Sequence, residues 1–337
     1  MSLHMPRDKP RPTPSHRPKL RSGSRRVVRT DICHPWWAAN VPVNRKDLYR
    51  TIVVHNGKGG AGKTSLATHI AGLIAVADYK VLLVDMDPQG NCGEDLGYTE
   101  SGDDGAALCA ALTSGQQLTA LLSPRERLDV VCGGPHLNDL PAIRRPYEAL
   151  AAVLAPIAAN YDLVIIDTPP SGSHLIDMAF GAARWLVIPT SADASSIKGL
   201  QFVADKVVTA RRHNPDLEVL AAVLTRVGIQ STSIKAQAIG KLTGILGDAA
   251  PLLEHSIRIA EKAAVRGRER GLLAHELSAK QDGRPIWAYL RDKEPVPDLL
   301  QSAKSDQLAA RGLAADYFNV TQDLLSLIAD AETSEKS

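Results

Sequence analysis

Six short apolar runs constrain the fold of this 337-residue chain more than any other feature. They are TIVVH (51–55), KVLLVDMD (80–87), LDVVCGG (128–134), YDLVIIDTPP (161–170), WLVIPT (185–190) and LAAVLTRV (220–227). Each is nearly continuous in Val, Ile, Leu or Ala instead of alternating with polar residues. That is the pattern of strands covered on both faces, as in a parallel sheet. Stretches with helical spacing lie between and after them, at 64–79, 145–158, 195–212, 232–246 and 298–330. In 64–79, Leu66, Ile70, Leu73 and Ala77 recur at steps of three and four, which predicts a single core-facing stripe. Strands alternating with helices predict a doubly wound α/β fold, a mostly parallel sheet with helices on both faces. Ligands of such folds sit at the carboxyl ends of the strands. No internal repeat or clear second domain is visible.

Three polar segments fall at those carboxyl ends. The first, HNGKGGAGKTS (55–65), follows one apolar run and opens a helix, the setting a phosphate-binding loop requires. Gly57, Gly59, Gly60 and Gly62 let the backbone turn its N–H groups inward around phosphate oxygens, and the helix dipole adds to the attraction. Lys63 is expected to span the β- and γ-phosphates and the Thr64 hydroxyl to ligate Mg²⁺. The whole cradle runs Gly57, Lys58, Gly59, Gly60, Ala61, Gly62, Lys63, Thr64 and Ser65. Such a loop needs one lysine, and this one carries a second, Lys58, at its start. The next segment, DMDPQGN, puts Asp85 and Asp87 at the end of 80–85. Two acids beside a phosphate loop would repel a nucleotide unless a metal or water separates them, which favours a catalytic role over a simple helix cap. The third puts Asp167 near the magnesium, followed by a stiff Thr168-Pro169-Pro170 turn placed to sense the γ-phosphate.

Composition limits the remaining choices. The apolar share of 44% supports a sizeable core. The net charge of +2 conceals an asymmetry: residues 1–50 hold twelve Lys/Arg against three Asp/Glu, and 51–337 stand at −7. Residues 1–46, rich in Pro, Arg and Ser, read as a flexible basic arm, with Trp36 and Trp37 as its anchors. The arm is suited to an acidic partner, or is simply a solvated leader. Residues 47–332 read as the nucleotide-binding domain. Cys33, Cys92, Cys109 and Cys132 have no metal-ligand spacing and read as free thiols. No run approaches the ~18 apolar residues of a membrane helix, and no apolar stretch follows the basic N-terminus. These features predict a soluble cytoplasmic protein.

KGGAGKT with its leading lysine, DMDPQGN, VIIDTPPS and VIPTSADASSIKGL, in that order, resemble the ParA-type partition ATPases. These belong to the deviant phosphate-loop group that also holds MinD-like proteins and the nitrogenase iron protein. The resemblance spans roughly 51–275. It departs at Gly57, where the family usually has Gln before the signature lysine. By resemblance, Lys58 reaches across a face-to-face ATP dimer to the partner's phosphates, a cation compensating charge that one lysine leaves over. Gly59 lies at that contact. Asp87 orients the attacking water, Asp167 holds the magnesium through water, and Asp85 supports loop and metal. Lys58, Lys63 and Asp87 are then the catalytic set, with ATP and Mg²⁺ as cofactors and slow hydrolysis for want of an evident arginine finger.

Within the superfamily the acidic ending LLSLIADAETSEKS argues against the basic amphipathic membrane helix of MinD-like proteins. The cysteines lack the companion motif of an iron–sulfur relative, and the proline-rich first fifty residues do not suit a helix-turn-helix. The resemblance therefore implies an ATP-dependent homodimer, associated with the nucleoid, that binds double-stranded DNA nonspecifically and answers to a ParB-like centromere-binding partner. The DNA-binding candidates lie in SIRIAEKAAVRGRERG (256–271): Arg258, Lys262, Arg266, Arg268 and Arg270, the first three sharing one face if the stretch is helical. A solvated helix face is the alternative. Thr225 and Arg226, ending the run 220–226, are candidates for bordering the adenine. Two rival functions stay open: a relative that positions another cargo, and a non-hydrolysing switch in which ATP only sets dimerisation.

Overall fold

A computed structural model describes residues 43–118, 120, 122–170, 174–191, 193–228, 239–240, 242–244, 250–279 and 298–334. Trp36, Trp37 and the rest of 1–42 lie outside the described residues, as does most of the helical expectation at 232–246.

The described strands are β1 (Thr51–Val54), β2 (Val81–Asp85), β3 (Leu122–Arg125), β4 (Leu128–Val131), β5 (Leu163–Asp167), β6 (Trp185–Thr190), β7 (Glu218–Val227) and β8 (Leu252–Arg258). They form one sheet in the order β3-β4-β2-β5-β1-β6-β7-β8. Its neighbours are parallel except the β3–β4 pair at one edge. The helices are α1 (Lys63–Val76), α2 (Cys92–Leu96), α3 (Ala106–Ser114), α4 (Pro146–Ala158), α5 (His174–Ala182), α6 (Ala194–Ala210), α7 (Glu261–Arg270), α8 (Ala274–Ala279) and α9 (Asp298–Ser334). Alternate strand residues feed two cores. Val53, Val84, Ile166 and Leu186 meet α3 to α6 on one face, while Ile52, Val54, Leu83 and Ile165 meet α1, α2 and α7 to α9 on the other. Two-sided burial explains why the central runs are continuous rather than alternating.

Two strands were absent from the apolar pattern. β3 is a short edge strand, LSPR, and its Pro124 is tolerated only where the ladder ends. β8 is the other edge, LLEHSIR, with exposed Glu254 and His255, so it lacks the run of a doubly covered strand. The single stripe on α1 is also corrected. Residues Leu66 to Ala75 are buried almost all round, and Ala77 is only the half-buried cap. The reason is α9, whose Tyr317 stacks on His69 with ring centroids 3.8 Å apart, so α1 lies between sheet and helix.

The chain enters β1 through residues fixed to the body. Arg45 donates from Nε to Gly181 O (3.0 Å) and from Nη2 to Tyr147 O (3.3 Å), where α4 and α5 come together. Cys92, Cys109 and Cys132 are free thiols, as their spacing implied. No helix among the described residues is long and apolar enough to cross a membrane.

Candidate nucleotide site

Parallel register assembles the site. Val54 at the end of β1 pairs with Asp167 at the end of β5, and Asp167 pairs with Asp85 at the end of β2. The loop leaving β1 therefore emerges beside both carboxylates. Gly60 (φ +75°) and Gly62 (φ +85°) take the left-handed conformation that the turn into α1 needs. Gly57 serves a different purpose: a Cβ there would lie 2.8 Å from Cδ1 of Phe202. The glycine that replaces the family's usual glutamine makes room for that ring.

Neighbouring strands hold the loop in shape. Buried Asn56 donates to Pro189 O (2.5 Å) and accepts from the Lys58 N–H (2.9 Å). The Thr225 hydroxyl lies 3.0 Å from both Ala61 O and Thr190 O, tying the loop to β6 and β7. Thr225 is thus a support of the loop, while Arg226 is exposed at φ +57°. His55 was not singled out from sequence. Thr168 donates to Val54 O (2.8 Å), so the contact at 2.8 Å between its Oγ1 and His55 Nδ1 is made by an Nδ1–H tautomer. Burial pushes the His55 pKa down to about 3, keeping the ring neutral behind Lys63.

The two lysines have different surroundings. Lys63 is buried, with Nζ 3.3 Å from Lys58 O; burial lowers its pKa, against the pull of Asp167 and Asp87. Lys58 pairs instead with Asp193 after β6, Nζ to Oδ2 2.6 Å, both side chains partly exposed. The Asp193 carboxylate also accepts from Ser191 Oγ at 2.7 Å. Exposed Gly59 has nothing within 4 Å of where a Cβ would stand.

The acids form a tight group. Thr64 Oγ1 donates to Asp167 Oδ2 at 2.6 Å, and Asp85 accepts from the Asp87 N–H (2.9 Å) and the Cys92 N–H (3.4 Å). Asp87 Oδ1 accepts from the Gln89 N–H at 2.9 Å, which closes the DPQ turn. Burial pushes Asp85 up to about 7, and burial together with Asp85 raises Asp167 well above the carboxylate range. Asp167 Oδ1 is buried and has no hydrogen-bond partner among the described residues. Two crowded carboxylates, one with an orphaned oxygen, beside a threonine hydroxyl fit a hard divalent cation such as Mg²⁺. Cys92 completes a group whose donor atoms lie within 4.8 Å of one another. Burial raises its thiol pKa well above the ordinary value, and the thiol donates weakly to Asp167 Oδ2 (3.7 Å). No cysteine spacing could have revealed this, because the partners are carboxylates at the ends of β2 and β5.

The basic stretch departs from its one-helix reading. Arg258 ends β8, so it shares no helix face with Lys262 and Arg266. Its guanidinium is held by Asp316 of α9, Nε to Oδ2 2.6 Å and Nη2 to Oδ1 2.8 Å. Arg268 is also engaged, Nε to Asp95 Oδ1 2.8 Å. Lys262, Arg266 and Arg270 are spaced by four along α7, flanking buried Ala263 and Gly267, with Lys262 and Arg270 exposed and Arg266 half-buried.

A family model described as an AAA domain matches residues 49–219. The chain is 36% identical over 183 residues to the chromosome partitioning protein ParA of Myxococcus xanthus, covering 52% of this chain and 64% of that protein. It is 29% identical over 222 residues to the sporulation initiation inhibitor protein Soj of Bacillus subtilis, covering 63% of this chain and 87% of that protein. Its fold matches a cobyrinic acid a,c-diamide synthase structure from Mycobacterium smegmatis with bound ATP analogue and magnesium. That match has a TM-score of 0.56 and 26% identity, covering 66% of this chain and 92% of the other. The chain belongs to this AAA-domain family and, within it, to the ParA-type partition ATPases of the ParA/MinD superfamily.

Proposed function

We propose that this chain is a Mg-ATP-dependent dimerising ATPase that binds DNA nonspecifically and partitions DNA together with a ParB-like partner. The observation that carries this reading is the division of labour between the lysines. Lys63 lies buried within its own cradle, whereas Lys58 stands at the surface on a single ion pair, beside a Gly59 open to solvent. A lysine that leaves its own loop, next to a position without a side chain, suits a second subunit placed face to face. ATP then joins two copies, since each lends Lys58 to the other's phosphates.

Magnesium, when bound, neutralises the terminal phosphates as charge develops there. Thr64 and Asp167 are the residues that would hold it, with Asp85 beside them. Lys63 binds the phosphates, and Asp87 orients the attacking water from a turn fixed by the Gln89 N–H. The relatives named as chromosome partitioning proteins support the biological setting, and the magnesium-bound ATP-analogue structure supports the cofactors. Lys262, Arg266 and Arg270 on α7 supply phosphate contacts, doubled in a dimer.

The test is Asp87→Ala. ATP should still bind and hydrolysis should fall, so sedimentation with ATP should show a persistent dimer. A variant that binds ATP but stays monomeric, or hydrolyses it at the parent rate, would overturn the reading. Parent ATPase activity that does not respond to DNA would argue against the partition setting.

A further inference from the structure

The phosphate site and the basic helix α7 are joined by contacts that neither nucleotide chemistry nor DNA binding requires. The DPQ turn runs directly into α2, whose first residue, Cys92, is tied through its N–H to Asp85. One turn later stands Asp95, with 4% of its side chain exposed. Its Oδ1 accepts from Arg268 Nε of α7 (2.8 Å) and its Oδ2 from Thr68 Oγ1 of α1 (2.9 Å). Arg268 Nη2 also reaches Ser65 Oγ (3.3 Å), next to the magnesium threonine. A buried carboxylate must keep such partners, because leaving it unpaired is strongly unfavourable.

A second contact lies just beyond. Gly97 (φ +73°) ends α2 and Gly271 (φ +58°) ends α7, and their backbones touch: a Cβ on Gly271 would lie 2.2 Å from Gly97 Cα. Arg125 of β3 clamps the pair, donating to Leu96 O (3.1 Å) and Gly271 O (2.7 Å) while bound to Glu276 of α8. The two helix ends are therefore packed backbone against backbone, with no side chain at either glycine as a cushion.

We propose that α2 is the connector between nucleotide and DNA sites: Asp95, gripping Arg268 and Thr68, transmits occupancy of the phosphate site to α7 and so sets this chain's affinity for duplex DNA. This rests on the DNA-binding reading above. Asp95 acts as a positioning residue. It leaves Lys262, Arg266 and Arg270 in place and changes how they are presented when the 85–91 segment responds to a terminal phosphate.

The experiment measures affinity for a fluorescein-labelled duplex of arbitrary sequence, with ATPγS and with ADP, in the full chain, Asp95→Asn and Thr68→Val. Both substitutions preserve volume and replace no loop residue and none of Lys262, Arg266 and Arg270, although Thr68 Oγ1 also lies 3.0 Å from Thr64 O and 3.2 Å from Ser65 O. The parent ratio of the two affinities should fall in the roughly five- to 150-fold range of coupled sites. In each variant it should fall about fivefold or more below the parent ratio, to what the doubled contacts of the dimer alone supply, while ATPγS affinity and ATPγS-driven dimerisation stay at parent levels. The double variant should lose no more than either single, as expected for one network. Variants that keep the parent ratio overturn the connector and leave the DNA reading intact. A parent ratio of one overturns the connector, and a parent that binds the duplex with neither nucleotide overturns the DNA reading as well. Circular dichroism identifies a variant that fails to fold, and Thr68→Val, which removes one hydroxyl, then decides the matter.

Discussion

The phosphate loop and the basic stretch 256–271 are similar in length and equally conspicuous in sequence, yet only one behaves in the fold as its pattern implies. The loop is made mainly by its own backbone between β1 and α1, and its function-bearing groups are local. The basic stretch is divided among β8, α7 and the turn after it. Arg258 on Asp316 and Arg268 on Asp95 serve the protein's own architecture. A short pattern predicts structure when its groups satisfy each other. It fails when acids distant in sequence claim them.

The sharpest break of this comparison is Lys63→Ala. Its ammonium is buried, so no other part of the loop can replace its charge, and the backbone cradle remains. ATP affinity should fall by about 2–5 kcal/mol, the range for truncating one partner of a buried charge pair. Titration with a fluorescent ATP analogue measures it. Parent-like binding by the folded variant would mean that the cradle alone suffices.

The loop's helix is less self-contained than the loop, and pH reveals this. His69 on α1 lies 2.7 Å from Ser65 O through Nδ1, accepts the Ala274 N–H at Nε2 (3.0 Å) and stacks on Tyr317. Burial lowers its pKa to about 4, against nearby Asp95 and Glu276 and with His275. The unfolded chain takes up a proton near 6.5 and the folded one does not, so stability is lost as pH falls from about 6.5 toward 4. Relative to His69→Gln, the parent should lose about 2–3 kcal/mol between about pH 7 and about pH 4.5 in urea unfolding. No pH dependence in that difference would mean that His69 is not neutral in the folded protein.

The third comparison separates the two kinds of cation in 256–271. Arg258→Ala removes a bidentate but partly exposed pair, costing about 1 kcal/mol of stability or less, and should leave the salt dependence of DNA binding unchanged. Lys262→Ala combined with Arg270→Ala should do the reverse, flattening the log–log slope by about 0.9 per lost phosphate contact. Salt titrations of both variants, alongside thermal unfolding, decide it. If Arg258→Ala flattens the slope as much, its pairing with Asp316 gives way on DNA.

These contrasts explain what could be read in advance. The central strands were legible because two-sided burial leaves continuous Val, Ile and Leu, and Asp85 and Asp167 were legible because each ends such a run. β3 and β8 were not, since edge strands need no such run, and the all-round burial of α1 depends on where α9 docks. Asn56 was visible within the loop, but its role in shaping the turn depends on Pro189 from β6. Asp95 had no signal at all, and Asp193 lay within the quoted VIPTSADASSIKGL without a role. Their importance comes from cations more than a hundred residues away, which no local spacing records.

The smallest effect concerns Asp193, and it bears on the loop's own claim to independence. Lys58 is the one loop side chain described here whose charge is paired by a residue from another element, over an exposed 2.6 Å contact. Before Lys58 can reach a second subunit that contact must break. Exposed ion pairs are worth about 0.2–1 kcal/mol, so it is a weak restraint on the free chain. Asp193→Asn removes the charge and keeps the size, and each subunit of a dimer contributes one such release. Dimerisation with ATPγS should therefore strengthen, by roughly twofold to about thirtyfold when the term counts twice. ATP affinity of the monomer should not change, because Lys63 and the backbone are untouched. Sedimentation across a concentration series reads the first quantity and fluorescent nucleotide titration the second. Weaker dimerisation in Asp193→Asn would reverse the assignment: Asp193 would then hold Lys58 ready for the partner's phosphates instead of restraining it.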